Sequence, residues 1–261
     1  MRAKDSRGPV LWPLGMALAG VALLLHNFLL VGDFNVVALW PLLLVVAGAW
    51  ILLWGDLIPG DEGRTFGITR GSVESAALEI SAGEIDVQVQ ALQREGRLIA
   101  GQYATFSRPG LKVNGTHTHL LLHRAATPWL SFADWQMGLA VDLPWQILVS
   151  TYLGRVNVDA SGLILQEAVV ATGLGDIRFI CPQESLSPLI LRSALGNIHL
   201  ITPVGYRTQI TIEGGRLFGV QADSNRYEMV APRVFAARDV DESLPLVEVT
   251  VSGTFGDAYL T

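Results

Sequence analysis

"YLGRVNV" (Tyr152–Val158), "GLGDIRF" (Gly173–Phe179) and "ALGNIHL" (Ala194–Leu200) decide how this chain reads, because they recur at an interval of 21 residues. In each, a glycine precedes an alternation of polar and apolar residues. Val156, Ile177 and Ile198 stand second after the glycine, and Val158, Phe179 and Leu200 stand fourth. Between them lie Arg155 and Asn157, Asp176 and Arg178, Asn197 and His199. A period of two is the signature of a strand with one buried face.

Each unit holds a second such strand. Ala168, Leu189 and Ile210 share one column, and Val170, Leu191 and Ile212 the next. The preceding unit, Ala133–Leu153, fits the same template, with Trp135 and Met137 in the first pair of columns and Ile147 and Val149 in the second. Four units in one register mean a stack in which each repeat packs on its neighbours. The fold class expected from this is a β-solenoid with coils of about 21 residues. Glycines at its corners supply positive φ or the room left by a missing side chain. The structural repeat is carried by Gly154, Gly175 and Gly196, and the signature returns at Gly83 in "SAGEIDVQV" (Ser81–Val89) and at Gly256 in "GTFGDAYLT" (Gly253–Thr261). Outward residues should stack as ladders, Arg155 with Asp176 and Asn197, and Asn157 with Arg178 and His199. Residues 220–241 leave the register and predict irregular or edge structure closing the last coils.

The N-terminal quarter reads differently. Val10–Val31 and Val36–Trp54 carry no charge and are separated by "GDFN" (Gly32–Asn35). About 20 apolar residues in a helix span the hydrocarbon layer, so the pattern predicts a transmembrane helical hairpin over 10–55. Trp12, Trp40, Trp50 and Trp54 lie near the segment ends, where indoles favour the interface. Small residues Gly15, Ala19 and Ala22 allow close helix approach. A cleavable signal peptide fits less well, because "FLLVGDFN" offers no small-x-small cleavage site. Arg2, Lys4 and Arg7 place residues 1–9 in the cytoplasm by the positive-inside rule. Two crossings then return the β-domain, 73–261, to the same side, after a glycine-rich linker at 56–72. This organisation implies a multi-pass membrane protein, with the lipid bilayer as its first partner. His26, inside the first apolar segment, reads as a neutral interhelical or interfacial hydrogen-bonding group.

Composition excludes several functions. The formal net charge is −6, opposite to the basic face a nucleic-acid binder needs. The single cysteine, Cys181, forms no intramolecular disulfide and no thiolate-rich metal site. It shares a column with Ala160 and Thr202, which marks it as a small packing residue. His117, His119 and His123 in "THTHLLLH" fall on one side of a strand, and a His-x-His pair suits zinc or copper. No further ligand is fixed nearby, so an exposed strand face is the expected role. No phosphate loop, Ser/His/Asp signature or zinc-protease helix is present, and Asp142, Asp159 and Asp176 have no paired setting. Asn114 opens an Asn-Gly-Thr glycosylation pattern. Trp129, Trp135 and Trp145 read as core or cap residues, with a sugar platform as the alternative. The sequence therefore predicts no enzyme and no cofactor.

The order of features resembles a known group. "WPLGMALAGVALLLHNF" (Trp12–Phe28) and "LWPLLLVVAGAWILL" (Leu39–Leu53) resemble the N-terminal transmembrane region of LiaI/LiaF-like bacterial membrane proteins. The "GRVNV", "GDIRF" and "GNIHL" steps look like the C-terminal domain of LiaF-type cell-wall-active antibiotic response proteins and the related toast-rack or "putative-adhesin" β-domains. The resemblance implies a non-enzymatic regulator of envelope-stress signalling, acting on a sensor histidine kinase or another membrane protein. A structural or adhesive β-protein that self-assembles or binds a surface is the alternative. An enzyme or sugar-binding protein using the tryptophans or the histidine strand ranks third.

Overall fold

The computed structural model describes residues 44–46, 49, 64–92, 96–103, 109–123 and 133–261. The chain divides into two compact units. In the first, residues 44–46 and 49 are helical. Among the described residues, the second holds eighteen strands that form one sheet.

In chain order these are β1 (Arg64–Thr69), β2 (Ser75–Ala91), β3 (Arg97–Tyr103), β4 (Gly110–Asn114), β5 (His117–His123), β6 (Ala133–Leu139), β7 (Pro144–Leu153), β8 (Val156–Asp159) and β9 (Ile164–Leu174). There follow β10 (Ile177–Ile180), β11 (Glu184–Ser185), β12 (Leu189–Leu195), β13 (Ile198–Ile201), β14 (Thr208–Gly214), β15 (Phe218–Ala222), β16 (Tyr227–Ala231), β17 (Val234–Ala237) and β18 (Val247–Leu260). Most pairings are parallel, with antiparallel partners at the margins: β1 with β3, β3 with β6, β4 with β5, β14 with β17, and β16 with β17.

Period-two alternation builds a single core. On one face, Trp135, Val87, Val156, Ile177, Ile198, Ala258 and Val220 are successive ladder partners. On the other, Leu122, Ile80, Val149, Val170, Leu191, Val251 and Ile212 do the same. All of these except the partly buried Val220 are buried, and each large aliphatic contributes about 1.5–3 kcal/mol of burial. The long strands β2 and β18 run through both faces, pairing with β7 and β12 on one and with β8 and β13 on the other.

The 21-residue step is kept where β8, β10 and β13 pair, as Val156 with Ile177 and Ile177 with Ile198. The fold class nevertheless differs from the expected one. A solenoid lays each coil on the next in chain order. Here β2 sits between β5 and β7, and β18 sits between β12 and β14. The chain leaves β2, builds the outer rungs β3–β6, and returns inside them at β7. It repeats the manoeuvre at the other end, building β14–β17 outside before β18 returns. Among the described residues, the expected helical hairpin plus β-solenoid gives way to an almost all-β arrangement with one mostly parallel, barrel-like sheet. The physical reason is that a parallel rung of the right alternation fits beside any other, so chain order need not be spatial order.

The membrane expectation is corrected as well. Apart from residues 44–46 and 49, the segments Val10–Val31 and Val36–Trp54 lie outside the described residues. Among the described residues, no helix is long and apolar enough to cross a membrane. The transmembrane hairpin and the multi-pass location drawn from it therefore receive no support. Residues 220–241, expected to be irregular or edge structure, contain the β16–β17 hairpin at the sheet margin. Arg233, at φ 61, turns it, and its guanidinium donates to the carbonyls of Gly214 (3.0 Å) and Phe218 (3.1 Å).

Candidate binding surface

The corners come first, because they fix the register of everything outward. Gly154, Gly175, Gly196 and Gly256 all adopt positive φ. A β-carbon on Gly175 would meet the Gly154 carbonyl oxygen at 2.1 Å, and one on Gly196 would meet that of Gly175 at 2.1 Å. Backbone thus packs on backbone at this corner. The next position uses its side chain to hold the neighbouring rung. Asp86 Oδ1 accepts the Arg155 N–H (2.7 Å), Asp176 Oδ1 that of Asn197 (2.8 Å), and Asn197 Oδ1 that of Asp257 (3.1 Å). Gly83 stands outside this ladder: Val87 pairs with Val156, so Ile85 takes the place opposite Gly154.

Two residues beyond the Asp/Asn position lies a continuous outward row. Its members are Thr65, Gln102, Gln136, Gln88, Asn157, Arg178, His199, Tyr259 and Gln221, each the ladder partner of the next. At ~4.8 Å per rung the row is roughly 40 Å long. Eight of the nine carry planar hydrogen-bonding groups: amide, guanidinium, imidazole or phenol. All are exposed or half-buried. Neighbours order one another, since His199 and Tyr259 stack at 4.8 Å with 8° between their planes, and Arg178 donates to Asn157 Oδ1 at 3.3 Å.

At the β1 end the row borders a trench. Gly67, Ala100 and Gly138 are ladder partners across β1, β3 and β6 and leave its floor low. Thr65, Gln102, Gln136 and Gln90 line it, with Leu92 and Arg97, around a volume of about 690 Å³. A second recess of about 290 Å³ lies between Tyr206, Arg226, Tyr227 and Arg238.

The remaining candidates are placed as follows. His117 and His119 point outward from β5 and are half-buried, and His123 is exposed. His117 Nδ1 shares a hydrogen bond with Ser75 Oγ (2.8 Å), and His119 Nε2 meets Glu79 Oε2 at 3.0 Å. Among the described residues, no group of three His, Cys, Asp or Glu is placed to hold a metal. Cys181 is wholly buried beside Thr202, whose hydroxyl lies 3.9 Å from Sγ. Burial pushes its thiol up to about 12, despite the opposing Thr202 contact. Trp135 and Trp145 are fully buried, the latter donating to the Ala140 carbonyl at 2.8 Å. Neither forms a surface platform. Trp129 lies outside the described residues. Asn114 is exposed at the end of β4.

Sequence reasoning named Asn157, Arg178 and His199 as one outward ladder but missed Gln102, Gln136, Gln88, Tyr259 and Gln221. For Tyr259 the signal was present, since it stands third after Gly256 as His199 stands third after Gly196.

No family model matches the sequence, and no curated protein matches it. A solved structure does resemble the fold. A crystal structure of a "putative cell adhesion protein" from Clostridium sporogenes superimposes with a TM-score of 0.65 at 16% identity, covering 76% of this chain and 97% of that one. The β-domain half of the expected resemblance therefore has a counterpart in fold, while the LiaF-type half has no family match.

Proposed function

We propose that this chain is a non-enzymatic adhesive β-module, and that its outward row binds an extended, hydroxyl-rich polymer such as a cell-surface polysaccharide. The observation that carries the reading is the uninterrupted row from Thr65 to Gln221. Planar amides, guanidinium and aromatic rings donate, accept and stack on sugar faces without needing a deep pocket. A row at constant spacing suits a repeating polymer better than a single small molecule. Net charge of −6 disfavours polyanions. The fold shared with the clostridial protein is consistent with adhesion, the role that protein's name gives it. A role in envelope-stress signalling draws no comparable support.

The test is a binding isotherm against a panel of neutral and acidic polysaccharides. Replacing both Arg178 and Tyr259 by Ala should weaken binding about tenfold or more, since such residues dominate interfaces. His123→Ala, on the other sheet face, should leave binding unchanged. Equal loss from both changes, or no binding to any polymer, overturns the reading.

A further inference from the structure

The margins of the second sheet face carry features the row does not use. Stacked repeats ordinarily end in rungs with a polar outer side. Here β4, at one end, pairs only with β5, and β16, at the other, pairs only with β17, among the described residues. Tyr227 on β16 is buried, but the core-side Leu111, Val113 and Met229 remain apolar and open to solvent. Leu111 and Val113 are 44% and 58% exposed, and Met229 is 65% exposed. An exposed apolar edge strand is a template for another strand.

The directions of these edges are complementary. β5, β2, β7, β9, β12, β18 and β14 all run parallel. β4 runs against β5, so it points down where they point up. β17 opposes β14 and β16 opposes β17, so β16 points up. A second copy shifted along the stacking direction therefore brings β16 of one chain antiparallel to β4 of the next. Among the registers that match the faces, one sets Leu111 opposite Met229, both core-side, and Lys112 opposite Glu228, both outward. That same register sets opposite charges across from each other, and neither Lys112 nor Glu228 has an ion pair with another described residue.

We infer that copies of this chain assemble head to tail by adding β16 of one to β4 of the next, in the Lys112–Glu228 register. Such a contact is heterologous and does not close, so it propagates into filaments. Main-chain hydrogen bonds and the covered apolar column hold it, and the charge pair selects the register. The inference rests on the edges alone, so a chain that binds no polysaccharide still assembles.

The full chain, held in non-ionic detergent because of its apolar 10–54 stretch, is followed by sedimentation velocity across concentration. Wild type should grow in mass with concentration. Lys112→Glu and Glu228→Lys should each remain monomeric, because each places like charges opposite. Mixing the two single variants should restore assembly, because every junction then pairs unlike charges. Oxidising the L111C/M229C variant should give a covalent ladder of dimers, trimers and higher species, since buried Cys181 does not compete. A wild type that stays monomeric, single variants that assemble normally, or a mixture that fails to recover overturns the inference.

Discussion

Gly175 lies at φ +144 with the Gly154 carbonyl 2.1 Å from where a β-carbon would sit. Gly175→Ala should therefore cost about 1–3 kcal/mol from backbone strain, with the clash added to it. Urea midpoints would measure the cost, and Gly83→Ala, at a site with open space around it, should cost far less. Asp176→Ala should lose about 1 kcal/mol with the acceptor for the Asn197 N–H, and Asp176→Asn should recover most of it. Cys181 makes a pH prediction. Its folded thiol is raised from 9.0 to about 12, so the native state holds a proton that the unfolded chain releases. Its contribution is complete below about pH 9 and is lost as pH rises from there towards 12. Cys181→Ala should flatten that decline, leaving the share from Tyr227, whose phenol burial also raises. At this scale the sequence was most informative. Glycine followed by alternation precedes β8, β10 and β13, where the glycines adopt positive φ and the inward columns are buried. It misled at Gly83, because a slip of two residues keeps every side chain on its own face and alternation is blind to it.

Among the elements, β18 matters more than its place at the end of the chain suggests. It fills the gap between β12 and β14 on one face and between β13 and β15 on the other. Removing residues 247–261 should expose both columns, so the truncated chain should lose cooperative unfolding by circular dichroism. Removing a margin hairpin, 227–237, should leave a cooperative transition at lower stability. Leu191→Ala, in the middle of the stack and fully buried, should cost about 2–5 kcal/mol. The out-of-order insertion of β2 and β18 was not legible in the sequence. Rungs of the same alternation are interchangeable neighbours, and nothing local records which one a strand will choose. The antiparallel hairpin β16–β17 was visible only as a break in the register.

For the molecule as a whole, the two proposed surfaces are orthogonal. The polar row lies across the outward face of one side of the sheet, and the β4 and β16 edges lie at its two ends. A filament joined through those edges would align successive rows along its length, so polymer binding should strengthen with assembly through multivalency. The Lys112→Glu variant should then bind polysaccharide more weakly in apparent affinity while its single-site affinity stays unchanged, as dilute and concentrated isotherms would reveal. The row from Thr65 to Gln221 is the proposed contact surface. Hydroxyl-radical footprinting of the chain, free and bound to polysaccharide, tests it most directly. His199 and Tyr259 should become protected, while Tyr152, exposed at the corner, should stay as reactive as in the free protein. Unchanged reactivity at His199 and Tyr259, with protection appearing elsewhere, would contradict it.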